Sequence, residues 1–368
     1  EAGVDARGRR YGVADQGGAI VIGGEIDHER ATATSSDAYV IVRPGARLEA
    51  SGASVDLDVQ GVGPLRLDRD GGRISLSSYL GVQLDGQLAA RAGGPGAAGG
   101  TLDIALETPL YRLWGGDTAT AAVQVPRELV LTSGAAAGEP RYGQARLDLA
   151  RVLAGAGFDH IGLLSNGLMS FDGAVDLAAA GSLRLYAGAF SLATGADAAD
   201  SRVMLSAPYV RLSGPGRYFA TNGLTRPRVL FGDAATVGAG NFTVRAGGLL
   251  EVGNSLSFGT QGQIQVAGAT PLVVTRPGFD RVELRSGGDM RFLAPNDDQP
   301  RTRLWTRGDL DLVAAQLYPA TGADAEVLAG HTRDLASGAL VFDPARTLRV
   351  GRVDAAAALP PVPYSAFG

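Results

Sequence analysis

Between Gly167 and Leu192, apolar residues spaced i, i+2 recur roughly every seven or eight positions, and single Gly or Ala-Gly steps separate them. Successive side chains of a strand point to opposite faces, so each such pair puts two apolar groups on one side. The pattern begins earlier, at Leu65/Leu67, Ile74/Leu76, Val82/Leu84 and Leu102/Ile104, and continues through Val282/Leu284, Met290/Phe292 and Leu310/Leu312. Antiparallel hairpins would need longer strands and frequent Asn-Gly or Asp-Gly turns. Very short strands with glycine corners instead suit a stacked parallel arrangement, in which like faces pair and inward residues form ladders. The expected fold class is all-β, a parallel β-helix with loop and short-helix excursions.

A repeat supports stacking. Residues 157–171 read GFDHIGLLSNGLMSF and residues 278–292 read GFDRVELRSGGDMRF. They align without a gap, and Phe158, Phe171, Phe279 and Phe292 are expected in the core. His160 stands where the second copy has Arg281, which argues against a catalytic histidine and for an outer face.

Residues 1–36 are expected to form a polar N-terminal segment or cap, and residues 37–350 the β-helix. An irregular excursion at about 107–156 contains Pro109, Pro126 and Pro140, and the best helix candidate is 145–156. Residues 351–368 are a Pro-rich tail. No run of apolar residues is long enough for a membrane helix.

Composition narrows the function classes. The net charge is −5 and the basic count of 33 is entirely arginine. A nucleic-acid binder would need a basic face. With no Cys there is no disulfide, thiolate metal site or Cys nucleophile, a usage that leans towards export.

The run GGRISLSSYLGVQLDGQLAARAGGPGAAGGTLDIALE, residues 71–107, resembles the filamentous haemagglutinin-like exoproteins of Gram-negative two-partner secretion. The GFD…M-x-F element and LDLVAAQLYPATG at 310–322 are similar to the later part of that family, so the resemblance spans residues 40–340 or so. It implies a right-handed β-helix and export through an outer-membrane secretion pore. It further implies a secreted or cell-surface location and an adhesive role towards a host-surface protein or glycan. The family's N-terminal secretion domain is not recognisable, so the segment would be a passenger piece. A carbohydrate-active β-helix enzyme and a stalk presenting an effector elsewhere are the alternatives.

Candidate chemistry is sparse, and no catalytic, cofactor or metal residues are assigned. Glu25, Asp27 and Glu29 would share a strand face beside His28, with Ca²⁺ binding as the functional reading and a solvated strand end as the plainer one. Asp56/Asp58 and Asp309/Asp311 pair on strand faces as the acids of a polysaccharide-cleaving enzyme would. Their apolar alternates make them the exposed side of half-buried strands. Arg307, Gly308 and Asp309 spell RGD and are the adhesive candidates. Trp114, Tyr111 and Tyr142 would pin the excursion or stack on sugars.

Overall fold

Among the described residues every pairing within the largest sheet is parallel, whereas smaller separate pairings such as Ser54–Val59 with Gly63–Asp68 are antiparallel. The computed structural model describes residues 2–107, 127–134, 141–196, 201–216, 229–230, 238–264, 272–296, 300–333, 337 and 339–353. The chain is almost all β and is dominated by one large parallel sheet. Trp114, Tyr111, half of the expected excursion and the tail from residue 354 lie outside the described residues.

The parallel pairings resolve into three ladders. The first stacks Ala19–Ile22, Arg73–Ser78, Gly100–Leu106 and the opening residues of Phe158–Asp172 and Ser182–Leu192. It continues through the second halves of Arg202–Ser213 and Asn241–Gly253 to Asp289–Phe292 and Gln316–Pro319. The second runs from Val40–Val42 and Gly81–Leu84 to Ser255–Phe258, Thr302–Thr306 and Ala325–Ala329. The third stacks Ala174–Ala178, the first halves of Arg202–Ser213 and Asn241–Gly253, Arg281–Ser286, Asp309–Ala314 and Leu348–Arg352.

Register keeps like residues together. Ile74, Leu102, Ile161, Leu183, Val210, Leu250 and Met290 follow one another across the first ladder, each buried in a single core cluster. A one-residue slip would turn every one of them outward, so the i, i+2 pattern fixes the register. Phe171, Phe190, Phe242, Phe258 and Phe279 meet inside, with Phe242 and Phe258 ring centroids 4.9 Å apart and Phe171 edge-on to Phe242 at 5.4 Å. Burial of such apolar surface contributes about 25 cal/mol per Å². The four phenylalanines singled out from the repeat are all buried.

Two departures come from the middle of the chain. Gln144–Asp148 lies between Gly81–Leu84 and Glu128–Thr132 in the second ladder, although it follows Glu128–Thr132 in sequence. Sequential stacking is therefore inverted there. The expected helix at 145–156 is corrected to Leu149–Leu153, because Ala145 and Leu147 alternate and are drawn into the second ladder. Asp148 caps the helix, its carboxylate accepting the Arg151 N–H at 3.2 Å, and Leu149 and Val152 face the core. The helix packs against Gln87–Ala89, which pairs on its other side with Arg47–Glu49.

The repeat is also read differently in three dimensions. Ile161 lies in the first ladder and Phe171 in the second, along one strand, Phe158–Asp172. Val282 lies in the third ladder and Phe292 in the first. The copies turn the same kind of corner one face apart, so His160 and Arg281 are not structural equivalents. Finally, residues 1–36 are more than a polar cap: Ala19–Ile22 joins the first ladder, and Ile26–Asp27 and Thr32–Ala33 form an antiparallel hairpin.

Candidate functional site

A grouping of ionisable side chains lies on the outer face of the first ladder, beneath that hairpin. On this face Ala105, Leu164 and Tyr186 align in register, and with Ile26, Ala31 and Ala33 they form a second apolar cluster. The hairpin is thereby stuck to the sheet as a strap, which explains why three small or apolar residues interrupt a polar segment. Its backbone is also anchored. The Ala33 N–H donates to the buried Glu107 carboxylate, Ser75 donates to the Gly24 carbonyl at 2.9 Å, and Gly216 donates to the Ala31 carbonyl at 2.8 Å. Gly24 and Gly216 run so close to the opposing backbone that a Cβ on either would collide with a carbonyl.

His28 sits at the centre of the strap. Its Nε2 is 3.1 Å from Asp103 Oδ1 and its Nδ1 is 3.1 Å from the Tyr186 hydroxyl. Nε2–H donating to the carboxylate leaves Nδ1 to accept from the tyrosine. Arg211 donates to the His28 carbonyl at 2.9 Å and stacks over the Tyr186 ring at 5.5 Å. Gly162 makes room for the imidazole, since a Cβ there would strike both Asp103 and His28. Burial is the main cause that pushes the Tyr186 hydroxyl up to about 12.

A neighbouring row extends the cluster. His160 Nδ1 is 2.9 Å from Ser182 Oγ on the next strand. Burial, and then the Arg184 guanidinium, lowers the His160 pKa. The Tyr209 hydroxyl donates to the buried Glu251 carboxylate at 2.5 Å, and Arg291 Nε donates to the same carboxylate at 2.9 Å. Burial first, and then the Glu251 charge, raises the Tyr209 pKa well above the ordinary tyrosine value. Clusters of shifted groups are what active sites contain, but structural networks also produce them. Here the ring nitrogens, hydroxyls and carboxylates are spent on one another.

The residues singled out from sequence scatter. Glu25 is bound by Arg73, and Asp27 by Arg30 at 2.8 Å. Among the described residues no three His, Asp or Glu side chains converge as a metal site would require. Asp56 and Asp58 lie on an antiparallel hairpin, Ser54–Val59 with Gly63–Asp68, outside the three ladders, and Arg10 meets Asp58 at 3.2 Å. Asp311 is buried, not on the exposed side as expected, because Arg281 at 2.7 Å and Arg349 at 3.4 Å bracket it.

The Arg307-Gly308-Asp309 tripeptide is a corner between the second and third ladders. Gly308 is buried, and its N–H donates to Thr306 Oγ1 at 3.1 Å. The Asp309 carboxylate accepts the Thr347 N–H at 2.8 Å. A carboxylate so engaged is not presented on an exposed turn. Tyr142 lies 4.8 Å from the Arg127 guanidinium, a loop-pinning contact.

Asp103, Tyr186, Arg211 and Glu251 escaped sequence reasoning. Their signal was weak: each is an outward residue of an ordinary alternating strand, and only register brings them together. No protein-family model, curated protein or solved structure matches the chain.

Proposed function

We propose that the three ladders are the faces of a right-handed parallel β-helix. On this reading the chain is a structural and adhesive passenger segment of a large secreted exoprotein of the filamentous haemagglutinin-like kind. The single observation that carries it is the continuous in-register stack of apolar residues across the three ladders, with polar side chains on the outside. Such a stack grows by adding circuits without changing its core, as a spacer or presenting surface requires. The polar outer face supports scaffold over enzyme, because Asp103, Glu128, Glu251 and Asp311 are each bound by His28, Arg276, Arg291 or Arg281. A glycoside-cleaving pair needs two carboxylates free to meet substrate across one cleft.

Export would pass through an outer-membrane secretion pore, and the exposed faces would meet a host-surface protein or glycan. Purified protein immobilised on beads tests the adhesive part against epithelial monolayers and extracellular-matrix coats. Retention above an unrelated β-rich protein is expected. Retention equal to that control, or release of unsaturated or reducing ends from acidic polysaccharides, sinks the reading.

A further inference from the structure

Residues 23–36 do not rest on one strand of the first ladder but run across the stack. At their base, Arg73 pairs with Glu25, the Ser75 hydroxyl donates to the Gly24 carbonyl at 2.9 Å, and the Ser35 and Ser77 hydroxyls meet at 2.6 Å. These partners belong to the second strand of the ladder, Arg73–Ser78. At the third strand and just past it, Asp103 holds His28 and Glu107 holds the Ala33 N–H. On the fourth and fifth, Leu164 and Tyr186 pack beneath the strap. On the sixth, Arg211 donates to the His28 carbonyl at 2.9 Å. Past the eighth, the Asn296 side-chain amide donates to the Arg30 carbonyl at 3.1 Å. Strands of a sheet lie about 4.8 Å apart, so the second and sixth are roughly 19 Å apart, a span that an arm of about six residues covers.

In a stack of repeats each unit touches only its neighbours, so stability is a sum of neighbour terms and a long array opens piece by piece. The strap breaks that rule. His28 alone joins the third, fifth and sixth strands, over sequence separations of 75, 158 and 183 residues. Two glycines make room for it. A Cβ on Gly162, in the fourth strand, would strike His28, and one on Gly216, after the sixth, would strike the Arg30 carbonyl. No bridged strand leaves the sheet without releasing the strap, and a released strap has lost its hold on all of them.

We propose that residues 23–36 are a clasp that joins the strands from Arg73–Ser78 to the second half of Arg202–Ser213 into one unit that opens all at once, and that its function is to bear load. A plain stack pulled along its axis yields unit by unit. The clasped block yields only when the strap, which lies along the pull, lets go as a whole. Arg211 and Asn296 lie 183 and 266 residues beyond their strap partners, so docking of the strap completes the block rather than starting it. The coupling follows from the contacts alone, whereas the load-bearing role rests on the adhesive reading.

Native-state hydrogen exchange of the full chain at low denaturant tests the coupling, read strand by strand by mass spectrometry. Amides of Arg73–Ser78, Gly100–Leu106, Ser182–Leu192 and Arg202–Ser213 are expected to share one opening, with protection factors within about threefold of each other. Ile26→Ser/His28→Ala removes an apolar and a polar hold together, and His28→Ala is the milder variant should the first fail to fold. Either is expected to spread the same protection factors over about tenfold or more. Val244→Ala hollows the core of the third ladder away from the strap and is expected to lower protection while keeping it uniform. Protection that already differs strand by strand in the native chain overturns the proposal, as does uniform protection in the strap variants or an equal spread in Val244→Ala.

Pulling in an optical trap tests the mechanical part. The chain has no Cys, so Arg43→Cys/Arg352→Cys places handles outside the strap. One rupture of the block is expected, replaced by a series of small steps once Ile26→Ser/His28→Ala is added. Small steps in both proteins overturn the load-bearing role. Loss of bead retention sinks the adhesive reading and leaves the coupling standing.

Discussion

His28 Nε2 lies 3.1 Å from Asp103 Oδ1, and the two residues are 75 positions apart in the chain. One belongs to the strap and the other to the sheet it covers, so this contact ties the N-terminal hairpin to the first ladder. Asp103 is only 2% exposed and relies on His28 as its side-chain partner. His28→Ala should cost about 1–3 kcal/mol, since it strands a buried acceptor. Gly162→Ala should act in the same direction by expelling the imidazole. Urea unfolding measures the cost, and faster proteolytic cutting within residues 23–36 reports the lifted strap. Unchanged protection in both variants would contradict the assignment.

Tyr186 gives the strap an alkaline limit. Its folded pKa, pushed up to about 12, stands above the unfolded value of about 10. The protonated hydroxyl is favoured by the fold, so its full contribution is present below pH 10 or so. It is lost as pH rises through the interval up to about 12, to a limit of roughly 3 kcal/mol. The stability of the native chain should therefore fall over that interval more steeply than that of Tyr186→Phe. Identical alkaline profiles would refute this.

His160 sets a dependence at the acid side. Its folded pKa is lowered, mainly by burial, beneath the ordinary histidine value. The neutral ring is favoured by the fold, so this stabilisation is complete above that ordinary value of about 6.5 and declines as pH falls below it. Denaturant midpoints measured across this range should drop less for His160→Asn than for the native chain. A steeper drop in the variant would reverse the sign and end the argument.

Phe242 touches Phe171, Phe190, Phe258 and Phe279 and is fully buried. Phe242→Ala should cost about 3–5 kcal/mol, because rings contributed by other strands cannot all collapse into the space. Phe242→Leu should cost distinctly less. Calorimetry discriminates the two, and equal losses would mean that the cluster does not pack as a unit.

Much of the architecture was legible one strand at a time. The i, i+2 pattern placed Ile74/Leu76, Leu183/Leu185 and Phe292 in the core, and all are buried there. The helix was half-legible, since Leu149, Val152 and Leu153 show helical spacing while Ala145 and Leu147 belong to a strand. The inversion of Gln144–Asp148 and Glu128–Thr132 was not legible, because both segments carry the same alternation and either order buries the same side chains. The candidate site was the least legible part. The partners of His28, Asp103 and Tyr186, lie on other strands far along the chain, so its own neighbourhood in sequence does not reveal them.

The sequence by itself determined which side of each strand faces inward, because side-chain alternation has a period of two and the apolar residues obey it. It also determined that like strands stack in register, since a slip of one residue would expose the core. Only the tertiary structure decided what meets on the outside. Outward residues such as Asp103, Asp311 and Glu251 carry no periodic signal of their own. Their partners are set by which strands become neighbours and by where the hairpin comes to rest. Charge pairing between distant segments depends on that geometry, whereas burial depends chiefly on each strand's own pattern.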